Sequence, residues 1–118
     1  MILVDTSVWI NHLRHDDAGL RTLLFDGQVA THECVIAELG LGSIARRREV
    51  LEALGGLPRL PRVDHDFFME FVERRQLFAR GVGAVDAHLL ASLLITPGSR
   101  LWTRDRRLAN VAEELGVC

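Results

Sequence analysis

Short apolar runs that alternate with helix-patterned stretches constrain this chain most. Such alternation is the signature of a parallel sheet covered by helices on both faces. Ile2-Leu3-Val4 reads as a buried strand ending at Asp5, and Arg100-Leu101-Trp102-Thr103 reads as another, two residues before Asp105. Gln28-Val29-Ala30 is a weaker strand candidate between them. The chain has 118 residues, which points to one domain spanning 1–118, and this length can bury roughly two thirds of the surface the unfolded chain exposes. Apolar residues make up 48% and charged residues 25%, the profile of a folded globular domain without repeats or low-complexity tracts.

Capping residues and glycines place the helices. Thr6 or Ser7 can cap a helix through about Leu13, and Asp16 or Asp17 the next, which Gly27 stops. Thr31 can start a helix through Leu39, after which Gly40 and Gly42 loosen the chain. Ser43 can cap a helix over Ile44 to Leu54, closed by Gly55-Gly56. Leu57 to Val63, with Pro58 and Pro61, reads as a connector or short edge strand. Asp64 caps a longer helix carrying Phe67, Phe68, Phe71, Val72 and Phe78, which Gly81 closes. A helix over about Ala84 to Ile95, a turn at 96–99 and a last helix over about Arg106 to Leu115 complete the chain. The expected architecture is α/β, a three-layer α/β/α sandwich with a short parallel sheet. The helices of residues 43–80 read as a helical hairpin added to it.

Charge and cysteines exclude several classes. The net charge is −2, so no global positive field attracts nucleic acid. All fourteen basic residues are Arg, clustered at Arg46–Arg48, Arg74-Arg75 and Arg104 with Arg106-Arg107. This usage fits a GC-rich genome, and it also fits phosphate recognition by guanidinium forks. Cys34 and Cys118 form no CxxC pair and no zinc spacing, so a reducing cytoplasm fits. An acid at residue 5 leaves no room for a signal peptide, and no apolar run is long enough to span a bilayer.

Four acids stand where acids are costly. Asp5 and Asp105 each follow a strand and open a helix, so each fits a plain N-cap as well as a site at the carboxyl end of a sheet. If their strands are neighbours, the two acids are close. Glu38 lies inside the apolar run VIAEL, where an ionised carboxylate is costly unless paired or bound to a metal; an exposed stripe or an Arg partner is the bland alternative. Asp86 is the only acid between Arg80 and Arg100, a stretch with no Lys or Arg and with His88 as the other titratable group. Its bland alternative is a first-turn acid favoured by the helix dipole. Four such acids form one cluster only if a cation offsets their repulsion. Divalent ions with oxygen ligands do so, and they also activate water for phosphodiester hydrolysis.

The segments MILVDTSVWI, VIAELGLG, GVGAVDAHLLAS and LWTRDRRL, in that order, resemble the PIN-domain family, and within it the VapC-type toxins of bacterial toxin–antitoxin pairs. The resemblance runs from residue 1 to the last helix. It implies Mg2+ or Mn2+ held by Asp5, Glu38, Asp86 and Asp105, with Thr6, Ser7 and Thr103 as supporting polar groups. It implies metal-dependent endonucleolytic cleavage of structured RNA (tRNA or rRNA) by activated water, leaving a 5′-phosphate and a 3′-hydroxyl. A VapB-type antitoxin partner and a homodimer follow from the same resemblance. Asn11 stands where relatives often carry an acid, and Arg106 and Arg107 stand where some carry a further one.

Arg104, Arg106 and Arg107 flank the fourth acid and can grip RNA phosphate or form a solvated helix face. Leu51, Leu54, Phe67, Phe68 and Phe71 offer either an antitoxin groove or plain core. The five histidines show no metal-pair spacing, and Trp9 and Trp102 fit core positions better than base-stacking ones. Two other readings compete. A phosphatase or phosphotransfer domain with a strand-end Asp needs a second Asp where Ser7 stands and a late Lys, and the chain has no Lys. A non-catalytic PIN-like RNA- or protein-binding module has typically lost one or more acids, whereas all four are present here.

Overall fold

The computed structural model describes residues 1–118. Three apolar residues are enough for β1 (Ile2–Val4) because it is the central strand and both its faces are covered; Leu3 and Val4 have no exposed surface. Two short strands flank it, β2 (Val29–Ala30) on one side and β3 (Arg100–Trp102) on the other. Both pairings are parallel, with Leu3 opposite Ala30 and Val4 opposite Trp102. The edge of β2 is extended by one parallel bridge between Thr31 and Arg59. Thr31 and the 58–60 segment exchange backbone hydrogen bonds of 2.8 and 2.9 Å there. The proline-bearing connector thus serves as a minimal edge strand.

Seven helices cover the sheet: α1 (Thr6–His15), α2 (Ala18–Phe25), α3 (Glu33–Leu41), α4 (Arg47–Gly55), α5 (His65–Arg74), α6 (Ala84–Leu94) and α7 (Arg106–Glu114). The chain leaves β1 toward β2 through α1 and α2, then returns past β1 to β3 through α3 to α6. Right-handed crossovers in opposite directions put these two helix sets on opposite faces of the sheet. The direction of winding reverses between β1 and β3, and the carboxyl ends of those two strands form the crevice where open α/β sheets bind ligands. Of the two helices of residues 43–80, α4 packs on α3 and α5 packs on α6.

Several boundaries differ from the sequence expectation for identifiable reasons. Thr31 is held in the bridge, so α3 starts later and is capped by His32, whose ring accepts from the Cys34 amide. Ser43 does not cap α4. The chain must first reverse after Gly42, and it does so through Arg46 in the left-handed region at φ 54°, so the helix begins at Arg47. The Arg47 Nε–H ties this reversal to the Gly40 carbonyl at 2.8 Å.

Helix α5 stops at Arg74, not near Phe78. Its end is a Schellman motif: Leu77 N–H reaches the Val72 carbonyl, Gln76 N–H reaches the Glu73 carbonyl, and Gln76 sits at φ 53°. The same motif closes α2 and α7 at Gly27 and Gly116, where glycine announces it. Leu54, Phe68 and Phe71 belong to the core and Leu51 is half-buried; Phe67 is exposed and lines a cleft of about 350 Å³ with Phe71. No helix is long and apolar enough to cross a membrane.

Candidate active site

Asp5 begins α1 with its backbone, but its side chain caps nothing. Asp5 is 4% exposed, and its carboxylate turns toward Thr103 beyond the neighbouring strand end. Its Oδ2 accepts hydrogen bonds of 2.7 Å from both Ser7 Oγ and Thr103 Oγ1. Each hydroxyl has one proton, and both protons are directed at Asp5. Each hydroxyl in turn accepts a backbone amide: Arg104 N–H donates to Ser7 Oγ and Asp105 N–H to Thr103 Oγ1, both at 3.0 Å. The 103–105 segment is thereby fixed to the start of α1, and the pairing follows from β1 and β3 being adjacent, with the Asp5 amide on the Trp102 carbonyl at 3.0 Å.

Thr6 faces the other way. Its Oγ1 donates to Glu38 Oε1 at 2.7 Å and so joins α1 to α3. Glu38 is half-buried, and it pairs with no Arg. Asp105 does act as an N-cap: its Oδ1 accepts from the Arg107 and Leu108 amides at 2.9 and 3.2 Å. The bland reading of Asp105 therefore holds for one oxygen, which leaves Oδ2 outside the cap.

Asp86 lies in the first turn of α6, half-buried. Unlike the other three acids, it takes no hydrogen bond from a protein donor. Burial first, and then the negative charges of Asp5, Glu38 and Asp105, push its carboxyl up to about 6. All four acids thus act on one region of space, with no cation of the protein among them. No three of these side chains are drawn close enough to hold an ion as they stand. An all-oxygen donor set with this surplus of negative charge fits a hard divalent cation.

The surrounding residues have plainer roles. Arg104, Arg106 and Arg107 are exposed and take part in no ion pair. The Arg107 side chain lies across Gly81, where an added Cβ would come within 2.9 Å of the guanidinium. Asn11 is half-buried on α1 and makes no side-chain hydrogen bond. Among the histidines, His12 accepts from the Asp17 amide, His32 caps α3, and His88 stacks on Phe68 at 3.8 Å. Trp9 is in the core. The split of the two hydroxyls, Thr6 to Glu38 and Ser7 to Asp5, was not readable from the sequence. The one signal was the placement of Thr and Ser directly after a strand-end acid.

The PIN domain pattern matches residues 2–114. The chain belongs to the PIN-domain family. Ribonuclease VapC32 of Mycobacterium tuberculosis, from each of two strains, is 54% identical to it over 117 residues, covering 99% of this chain and 94% of the relative. The PIN fold accounts for the parallel sheet and its helices, and the four acids lie at the carboxyl ends of β1 and β3 and on two helices, α3 and α6, that pack on each other.

Proposed function

We propose that this PIN domain is a metal-dependent endoribonuclease, the toxin of a toxin–antitoxin pair, that hydrolyses phosphodiester bonds in structured RNA such as tRNA or rRNA. The observation that carries the reading is the unneutralised acid cluster, in which Asp86 is raised by burial and by three other carboxylates. Its near full-length likeness to a protein named a ribonuclease supports the same chemistry. Asp5, Glu38, Asp86 and Asp105 would hold Mg2+ or Mn2+. When bound, such an ion supplies charge neutralisation, activation of water and stabilisation of the leaving oxygen.

The chain's own residues do the positioning. Ser7 and Thr103 fix the Asp5 carboxylate through Oδ2 and leave Oδ1 without a hydrogen bond from the protein. Thr6 fixes Glu38 through Oε1 and leaves Oε2. The Asp105 cap holds the strand-end turn rigid, so Thr103 keeps its aim at Asp5. Arg104, Arg106 and Arg107, unpaired beside Asp105, are placed to receive RNA phosphate.

The reading includes a VapB-type antitoxin, a homodimer and a cytoplasmic setting. Of the residues that could line a groove on the 43–80 helices, Leu54, Phe68 and Phe71 belong to the core. An open, largely apolar cleft of about 690 Å³ lies between the end of α1, the 42–46 turn and α4, walled by Ile10, Leu13, Ile44 and Val50. It is the place where an antitoxin segment would seat.

The test is incubation of the purified chain with total RNA, followed by analysis of the fragment ends. Fragments bearing 5′-phosphate and 3′-hydroxyl ends, formed by wild type and lost with Asp5→Asn, support hydrolysis at this site. RNA binding without cleavage under any divalent ion would favour the non-catalytic PIN-like module.

A further inference from the structure

His32 and Ser92 have no exposed surface, and none of the chemistry above uses them. Both ring nitrogens of His32 are engaged. Nδ1 accepts from the Cys34 amide at 3.0 Å and caps α3. An accepting nitrogen of a neutral ring carries no proton, so the proton is on Nε2. Nε2 lies 2.9 Å from Ser92 Oγ on α6, to which it donates. Burial holds the imidazole below its ordinary value, which keeps the neutral ring that both bonds require.

This bond joins the start of α3 to the far end of α6. Glu38 follows His32 by six residues in α3, and Asp86 precedes Ser92 by six residues in α6. Helices α3 and α6 pack directly on each other, so their axial offset sets how Glu38 stands to Asp86. At 1.5 Å per residue, Glu38 stands about 9 Å along α3 from His32, and Asp86 about 9 Å along α6 from Ser92.

Apart from Ser92, every buried residue of these two helices is apolar. Apolar contact is non-directional and tolerates small axial slips. A buried hydrogen bond does not, because a slip leaves both partners unpaired.

We propose that the His32–Ser92 hydrogen bond is a register pin that sets the axial offset of Glu38 against Asp86 and so shapes the oxygen cluster for a divalent cation. His32 and Ser92 are positioning residues. The pin rests on the reading of the four acids as a metal centre.

Three variants separate the pin from the helix cap. Ser92→Ala breaks the link and keeps the cap. His32→Asn places an acceptor oxygen near Nδ1, keeping the cap and losing the link. His32→Gln places an amide N–H near Nε2, keeping the link and losing the cap. Mn2+ binding is titrated calorimetrically on each folded protein. Backbone amide shifts of Glu38 and Asp86 are recorded without metal.

Ser92→Ala and His32→Asn should weaken Mn2+ binding about tenfold, the lower end of what indirect supports of a metal site contribute, and His32→Gln should stay near wild type. The Glu38 and Asp86 amides should move in the first two variants and stay in the third. Affinity lost only in His32→Gln would reduce His32 to a cap and overturn the pin. Wild-type-like binding and amide shifts in Ser92→Ala would overturn it as well. If the wild type itself binds no Mn2+, the metal-centre reading fails, and the amide shifts alone decide whether the pin sets the register.

Discussion

Replacing Asp86 with Asn should make the metal-free protein more stable while removing its activity. In the folded chain this carboxyl is raised from 3.8 to about 6 by burial and by Asp5, Glu38 and Asp105. Each pKa unit is worth about 1.4 kcal/mol, so ionising Asp86 in place costs up to about 3 kcal/mol. Asp86 is only half-buried, and solvent screening brings the expected gain down to about 1–2 kcal/mol. Asn keeps the shape and removes the charge.

The sign with pH follows from linkage. A raised folded-state pKa gives stability that is fully present below 3.8 and lost as pH rises through about 6. The advantage of Asp86→Asn should therefore be near zero at pH 3.5–4 and full above about pH 7. The assay is thermal or urea unfolding in EDTA at both ends of that range, with an expected rise of roughly 4–8 °C in Tm at neutral pH. Excess Mn2+ should reverse the order, because an ion at 100 times its Kd adds about 2.7 kcal/mol to the wild type and little to the variant. A variant no more stable than wild type at neutral pH in EDTA would refute the view that Asp86 sits among uncompensated charges.

Other substitutions test the surrounding frame. Thr103→Ala removes one of the two hydroxyls that aim Asp5 and leaves the Asp105 amide unpaired. It should lower cleavage by about tenfold and stability by about 1 kcal/mol, read by initial rates and urea midpoints. Asp105→Asn should keep α7 intact, since Asn caps as well as Asp, while lowering metal affinity; Asp105→Ala should lose the affinity and a further ~1 kcal/mol of stability. Gln76→Gly should raise stability by about 0.5–1 kcal/mol, because a non-glycine residue at φ 53° is strained; equal midpoints would contradict this.

The sheet and most helix starts were legible because their signals are local. Asp17, Asp64 and Asp105 cap where they were expected to, and Gly27 and Gly116 mark true helix ends. Three features were not legible because tertiary demands override local chemistry. Arg46 and Gln76 adopt left-handed backbone with no glycine to announce it. Thr31 is drawn into a bridge with a segment 28 residues away, which hands the cap to His32.

The four acids of the proposed site stood out in the sequence, since an acid in an apolar run or at a strand end is conspicuous. The hydroxyl pairings, Thr6 to Glu38 and Thr103 to Asp5, join residues 32 and 98 positions apart, and nothing local encodes them. Groove and core both stayed open for the apolar residues of 43–80 for a related reason: an apolar side chain reads the same in sequence whether a helix turns it inward or outward. Phe67 and Phe68 are neighbours with opposite fates.

The most direct test of the central claim is cleavage of total cellular RNA by the purified chain in Mg2+, Mn2+ or EDTA, with Asp86→Asn in parallel. The four-acid account predicts discrete fragments that require the divalent ion and vanish in the variant. Cleavage that survives both EDTA and Asp86→Asn would contradict it.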